Sequence, residues 1–594
     1  MTEDREAVLA KYAAERAKRL RPDGNDQYVR PAGEFAHYLD DPHTPRTSRA
    51  PLSDHRTVAI IGGGFAGLAA GARLKESGVS SVRIIDKGGD FGGTWYWNRY
   101  PGAQCDTASY VYMPLLEETG HMPTEKYAHG PEILQHCQRI GRHYGLRDDA
   151  LFHTEVTGLT WDGVLSRWVI ATNRGDRLTA DFVVMGIGPL HVPKLPGIPG
   201  LGSFRGHSFH TSRWDYGYTG GDVAGAPMDR LAGQRVGIIG TGATAVQCVP
   251  HLARACGSLY VFQRTPSSVD VRGNQPTDPE WFASIATPGW QRRWLENFTA
   301  NQSGGRVGVD LVMDGWTDIA RRVRARLSAL PASGRNRAAL AAALQDCDLE
   351  KMAEIRARVD TIVADRSTAD ALKAWYGQLC MRPCFHDEYL QSFNLPGVSL
   401  VDTDGKGVSE ITPAGVVAGG REYPLDCLIF ASGFEVGTSF TRRAGYEVTG
   451  RSGVRLSEHW ADGMRTLHGV HVHGFPNMFI VQPAQGANLI SNVPHNLVDT
   501  AATIAVTVKH ALSAGFRSVE VSSDAEEAWV RLLLSGPVSR LGGPDCTPGY
   551  YNNEGQDGGM AARLRTGYPA GAQAYFAYIQ RWRESGEFEG LDFR

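Results

Sequence analysis

The segment TVAIIGGGFAGLAAGARLKESGVSSVRIIDK, residues 57–87, contains an apolar run, Val58 to Ile61, that opens directly onto Gly62-x-Gly64-x-x-Gly67. An Ala- and Leu-rich helical pattern follows, then a second apolar run, Val82 to Ile85, closed by Asp86. In a strand, turn, helix, strand unit each glycine has its own task. The first permits the tight turn, the second lets a pyrophosphate approach the helix N-terminus, and the third lets helix and strand pack closely. Asp86 stands about twenty residues beyond Gly67, where a carboxylate accepts hydrogen bonds from a ribose 2′-hydroxyl. The unit reads as a dinucleotide fold, with Gly62, Gly64, Phe65, Ala66, Gly67, Asp86 and Lys87 as its candidate contacts.

The pattern recurs in RVGIIGTGATAVQCVPHLARACGSLYVFQRTP, residues 235–266. A strand from Val236 to Ile239 meets Gly240-x-Gly242-x-x-Ala245, the alanine form of the third position. Its second strand ends not on an acid but on Gln263, Arg264 and Thr265. Taken singly, an arginine is a solvated surface cation; at this strand end it suits a 2′-phosphate, which a carboxylate would repel. The first fold therefore takes FAD or NAD, and the second takes NADP through Gly240, Thr241, Gly242, Ala243, Thr244, Gln247, Arg264 and Thr265. Two carriers in one chain imply electron transfer between them, and a flavin with a nicotinamide is the natural pair. FAD then belongs to the first fold.

Bulk properties exclude other classes. At 594 residues the chain spans several domains, and a net charge of −3 gives no reason to expect nucleic acid or an anionic membrane as partner. Glycine, at 70 residues, is enriched without a collagen period. The nine cysteines are scattered and form no C-x-x-C, so neither a dithiol reductase nor a metal site is signalled. The N-terminus has no apolar signal region and no run of about 18 apolar residues occurs, so a cytoplasmic, soluble protein, monomeric or homo-oligomeric, is expected.

Residues 92–106, GGTWYWNRYPGAQCD, crowd aromatic plates between glycines and end on an acid. The run follows neither helix nor strand periodicity, and we read it as an ordered loop that holds something flat. Between the two folds lies FRGHSFHTSRWD, residues 204–215, with Phe204, Gly206, His210, Trp214 and Asp215 at fixed spacing. Both stretches resemble the signatures of type I Baeyer–Villiger monooxygenases, in the right order relative to both glycine turns. DCLIFASGF (426–434) and GFPNMF (474–479) extend the resemblance, which covers nearly everything from about residue 55 to 555.

The resemblance implies an α/β fold of two Rossmann-like domains, for FAD and NADP, with a helical insertion in the NADP domain and an N-terminal extension. The boundaries expected are 1–52 for the extension, 53–195 and 431–594 for the FAD domain, 196–272 and 380–430 for the NADP domain, and 273–379 for the insertion. It implies that NADPH reduces FAD, that dioxygen forms a C4a-peroxyflavin, and that this adds to a ketone to give an ester or lactone. The flavin site would take Gly93, Thr94, Trp95, Tyr100, Asp106, Tyr112 and Val156, and catalysis would rest on Asp106 and on Arg382 of CMRPC (380–384). A guanidinium suits that task, because it stabilises an oxyanion without giving up a proton. His210 and Trp214 would serve the linker between domains, with His210 a positioning residue. Three positions depart from the family pattern: Met381 stands where a lysine usually assists the NADP phosphate, and Gln104 and Ala108 replace an arginine and a glutamate.

CTPGYYNNEGQ (546–556) and the extension resemble a longer branch that includes lactone synthases of pentalenolactone-type terpenoid pathways, implying a polycyclic ketone substrate. AQGANLISNVPH (484–495) is expected to contribute to the pocket wall. Two alternatives stay open: a flavin oxygenase of nitrogen or sulfur, and a non-catalytic module that binds both nucleotides.

Overall fold

The computed structural model describes residues 4–594 apart from 304, 306, 490, 537–542 and 544. Its architecture is set by two separate sheets. In the first, the strand His55–Ile61 lies between Val82–Ile85 and Arg177–Met185, parallel to both. Val58 and Ile60 are fully buried, as a strand covered on both faces requires. The strand begins three residues before the apolar run, because backbone pairing of His55 and Arg56 with Thr179 and Ala180 needs no apolar side chain. An antiparallel meander, Val156–Asp162, Arg167–Thr172 and Arg177–Met185, completes one flank. Met478–Ile480, from GFPNMF, returns to pair with Val183 to Met185.

The second sheet is wholly parallel, in the order Val398–Asp402, Ser258–Gln263, Arg235–Ile239, Cys427–Phe430 and His207–His210. The helices after the glycine turns, Phe65–Glu76 and Ala243–Ala255, bury their small apolar residues against their own sheets. Val493–Ala514 packs along Phe65–Glu76 and covers the first sheet.

Between the second sheet's strands lie the helices Pro279–Ile285, Trp290–Gln302, Asp318–Ala329, Arg337–Ile362 and Arg366–Leu372. Trp290, Trp294 and Phe298 bury one face of their helix against Tyr110, beside the aromatic loop, so the insertion braces the first fold. Arg322 and Glu354 join two of these helices at 2.6 Å. The N-terminal extension is tied in by a helix, Arg5–Ala17, and by Tyr28–Val29 pairing with Leu195–Pro196. Among the described residues no helix is long and apolar enough to cross a membrane.

Candidate active site

Both glycine turns have the same backbone. Gly62 and Gly240 hold φ of +108° and +111°, and a Cβ on either would stand 2.3 or 2.4 Å from a carbonyl oxygen, of Gly186 and Ala431 respectively. Only glycine tolerates both conditions. Gly64 opposes Gly93, whose added Cβ would reach the Gly64 Cα at 2.7 Å, so aromatic loop and glycine turn meet backbone to backbone. Gly67 points away from the cleft and serves packing, since a Cβ there would strike the Gly62 carbonyl.

A single cleft of about 1210 Å³ runs from the first turn to the second. Gly62, Gly64, Phe65, Ala66, Asp86 and Lys87 line it at one end, with Gly93, Thr94, Trp95, Tyr100, Asp106, Tyr112 and Val156 beside them. Gly240, Thr241, Gly242, Ala243, Thr244, Gln247, Arg264, Thr265 and Arg382 line the rest. Gly67, His210 and Trp214 do not reach it. The 92–106 stretch is a loop interrupted by one helical turn, Thr94–Trp97, which buries Trp95, Tyr96 and Trp97 together.

The cleft fits two dinucleotides. The Asp86 carboxylate accepts from the backbone N–H of Gly63 and Gly88 at 2.5 and 2.6 Å, which orients it at the first strand end. Burial pushes its carboxyl up, against those two bonds. Lys87, beside it, is pushed down to about 8 by burial and by the Arg213 charge. Gly242 leaves open space where a side chain would stand, and the Tyr446 hydroxyl on the cleft wall has no hydrogen-bond partner among the described residues. Gln247 links the halves: it accepts from Tyr100 Oη at 2.9 Å and donates to the Gln104 carbonyl at 2.8 Å.

At the junction of the two folds Arg382 Nη2 donates to both Asp106 oxygens at 2.8 Å. Asp106 is buried, whereas about a third of the Arg382 side chain stays open to the cleft. Burial works against the guanidinium charge, but Asp106 and the phenols of Tyr550 and Tyr551 offset it and hold its pKa above the ordinary value. Trp316, from the insertion, donates Nε1 to the Asp106 carbonyl at 2.8 Å and fixes the backbone independently of the carboxylate. Thr107 donates to the Ser491 carbonyl at 2.8 Å, which ties the 484–495 segment to the same spot. Ala484, Asn488, Ser491, Val493 and Pro494 of that segment line the cleft; Ile490 lies outside the described residues.

The departures from the family pattern have local explanations. Gln104 accepts from Arg272, donates to the Tyr127 carbonyl at 2.7 Å and also lines the cleft, whereas Ala108 is fully buried and serves packing. Met381 lies against Gly549 of the 546–556 loop, where a Cβ would approach its sulfur to 2.9 Å. Arg264 is bonded to Gln27 at 2.5 Å and faces Glu554 at 3.5 Å, so the extension and the 546–556 loop meet at the second strand end.

His210 is not in a free linker. It ends the edge strand of the second sheet, fully buried, with Nδ1 bonded to Ser212 and its ring edge-on to Phe434. Trp214 is buried in the same core and donates to Thr219. Sequence reasoning missed Trp316, the placement of Tyr550 and Tyr551, and a disulfide between Cys380 and Cys546. Only the paired tyrosines within a motif already singled out could have pointed there.

Comparison with known proteins agrees with the geometry. Residues 59–278 match the family model of pyridine nucleotide-disulphide oxidoreductases. Neopentalenolactone D synthase of Streptomyces avermitilis is 52% identical, over all of this chain and 99% of that one. The Baeyer–Villiger monooxygenase ATR8 of Stachybotrys chlorohalonatus is 48% identical over 98% of this chain and 93% of that one. A polycyclic ketone monooxygenase from Thermothelomyces thermophila superposes with a TM-score of 0.90 at 38% identity, over 99% of both chains. The fold and site thus define a flavin-dependent monooxygenase. This chain belongs to the Baeyer–Villiger monooxygenases, within a group of relatives that includes the neopentalenolactone and pentalenolactone D synthases.

Proposed function

We propose that the chain binds FAD at the first glycine turn and NADPH at the second, and inserts one oxygen atom of dioxygen beside the carbonyl of a polycyclic terpenoid ketone to give a lactone. The observation that carries this is the meeting of Asp106 and Arg382, 276 residues apart in sequence, on the wall of the cleft that joins the turns. The likeness to lactone synthases and to a polycyclic ketone monooxygenase supports the substrate class. FAD would be held by the first turn, Asp86 and the aromatic loop, and NADPH by the second turn and Arg264. When bound, FAD reduced by NADPH supplies the electrons that activate dioxygen.

The protein's own part is electrostatic. Negative charge develops on oxygen as a ketone carbonyl is attacked, and a fixed guanidinium stabilises it without transferring a proton. Asp106 aims Arg382, and Trp316 aims Asp106. His210 does not compete as an acid: it is pushed down to about 3 by burial and by Arg213, is neutral, and does not line the cleft. Because Arg382 stabilises charge while keeping its proton, the site favours attack on a ketone over oxidation of amines or sulfides. We place the enzyme in the cytoplasm as a monomer or homo-oligomer; its nearly balanced charge supports the lack of a nucleic-acid or membrane partner.

The test is isotopic. Holoenzyme given NADPH, a polycyclic ketone and ¹⁸O-labelled dioxygen is expected to yield a lactone carrying one labelled atom, and Arg382→Ala to consume NADPH without lactone. Labelled sulfoxide from a thioether, with no lactone from any ketone tried, would overturn the proposal.

A further inference from the structure

The strand ends at the second fold carry more charge than the Arg264 position alone suggests. Val398–Asp402 pairs in parallel with Ser258–Gln263, Asp402 opposite Gln263, so the residues after each strand emerge side by side. The turn after Asp402 is locked onto its neighbour: Thr403 donates its backbone N–H and its hydroxyl to the Gln263 carbonyl at 3.0 and 2.7 Å. Gly407, in the same turn, faces the stem of Arg264, and a Cβ there would lie 3.8 Å from Arg264 Cδ. Thr403, Lys406 and Gly407 all line the cleft, as do Arg264 and Arg21.

Each cation at this end has a different status. Arg264 faces the buried Glu554 at 3.5 Å, and Arg21 is paired with Asp23 at 2.6 Å, so neither contributes a net charge. Lys406 has no ion-pair or hydrogen-bond partner for its ammonium among the described residues. Lys194, also on the cleft wall, donates to Asn25 at 3.1 Å and lies over the Tyr28 ring, so of these cations Lys406 is the one whose charged group has no partner among the described residues. Position 381, where the family resemblance leads one to expect a second phosphate-binding cation, holds Met381, packed on Gly549.

We propose that Lys406 is the residue that selects NADPH over NADH in this chain, by pairing with the 2′-phosphate beside Arg264. Arg264 contributes the fork of donors, and Lys406 the net positive charge that a doubly charged phosphate requires. The proposal rests on the assignment of NADP to the second fold.

Binding to the holoenzyme, measured by titration calorimetry with adenosine 2′,5′-bisphosphate and with adenosine 5′-monophosphate, tests it without turnover. The wild type is expected to prefer the bisphosphate. Lys406→Ala should lose roughly 10- to 100-fold in bisphosphate affinity, the scale of one charge-assisted hydrogen bond, and none for the monophosphate. Lys406→Arg should restore most of the preference. Lys406 is exposed, so the variant should keep its fold. A wild-type preference that survives intact in Lys406→Ala would overturn the role of Lys406. A wild type that binds both ligands equally would overturn the NADP assignment itself, and this proposal with it.

Discussion

Asp106→Asn isolates one quantity, the charge that holds Arg382. The substitution keeps the shape of the side chain and one acceptor oxygen, and Trp316 still anchors the Asp106 carbonyl at 2.8 Å, so the loop should stay in place. What is lost is a carboxylate bonded through both oxygens to one guanidinium nitrogen at 2.8 Å. A hydrogen bond to a charged group is worth about 1.5–3 kcal/mol, and the larger figures for fully buried pairs do not apply, because a third of Arg382 faces the cleft and is screened. If Arg382 is aimed by Asp106 alone, that energy appears in the barrier to oxygen insertion, a loss of about 10- to 100-fold in lactone formation. NADPH consumption does not need the oxyanion donor and should change by less than about threefold. The assay is the ratio of lactone formed to NADPH consumed, with both followed in the same vessel. Purified, folded Asp106→Asn with a wild-type ratio would refute the reasoning, since the carboxylate would then not be what positions Arg382.

Two further outcomes follow from features outside the cleft wall. The Cys380–Cys546 disulfide closes a loop of 166 residues and joins the Arg382 segment to the one bearing Tyr550 and Tyr551. Alkylation of the denatured, unreduced protein should label seven cysteines, and all nine only after reduction; Cys546→Ser should cost roughly 2–4 kcal/mol of stability. Nine labels without reduction would remove the disulfide from the account. Burial pushes the Asp314 carboxyl up to about 7, against the pull of Lys126. The folded state thus holds a proton that the unfolded state releases near pH 4, so the contribution of this group to stability is fully present below that pH and is lost as pH rises to about 7. Asp314→Asn, which keeps the acceptor for the Trp316 N–H, should flatten the decline and raise stability at pH 8 by roughly 1–3 kcal/mol, read from denaturant titrations at several pH values. An unchanged pH profile would show that Asp314 is ionised in the fold.

Much of the fold was legible locally. A glycine at φ beyond +100° beside a carbonyl has no substitute, so Gly62 and Gly240 announce their turns. The carboxylate of Asp86 and the guanidinium of Arg264 follow at distances that one strand, turn, helix, strand unit fixes. The aromatic loop announced itself by composition, although the helical turn Thr94–Trp97 inside it did not, because four residues are too short to show a period.

Other features were decided only by tertiary structure. Asp106 meets Arg382 across 276 residues, Trp316 reaches Asp106 from the helical insertion, and Cys380 finds Cys546 at a spacing no motif encodes. The Arg264 site likewise gained Gln27 from the N-terminal extension, Glu554 from the far end of the chain and the Lys406 turn from a neighbouring strand. The division has a physical cause. Backbone conformation and strand-end chemistry depend on contiguous residues and so can be read in order. The aim and net charge of a site depend on which distant segments packing brings together, and that is settled only when the two sheets, the insertion and both chain ends close around the cleft.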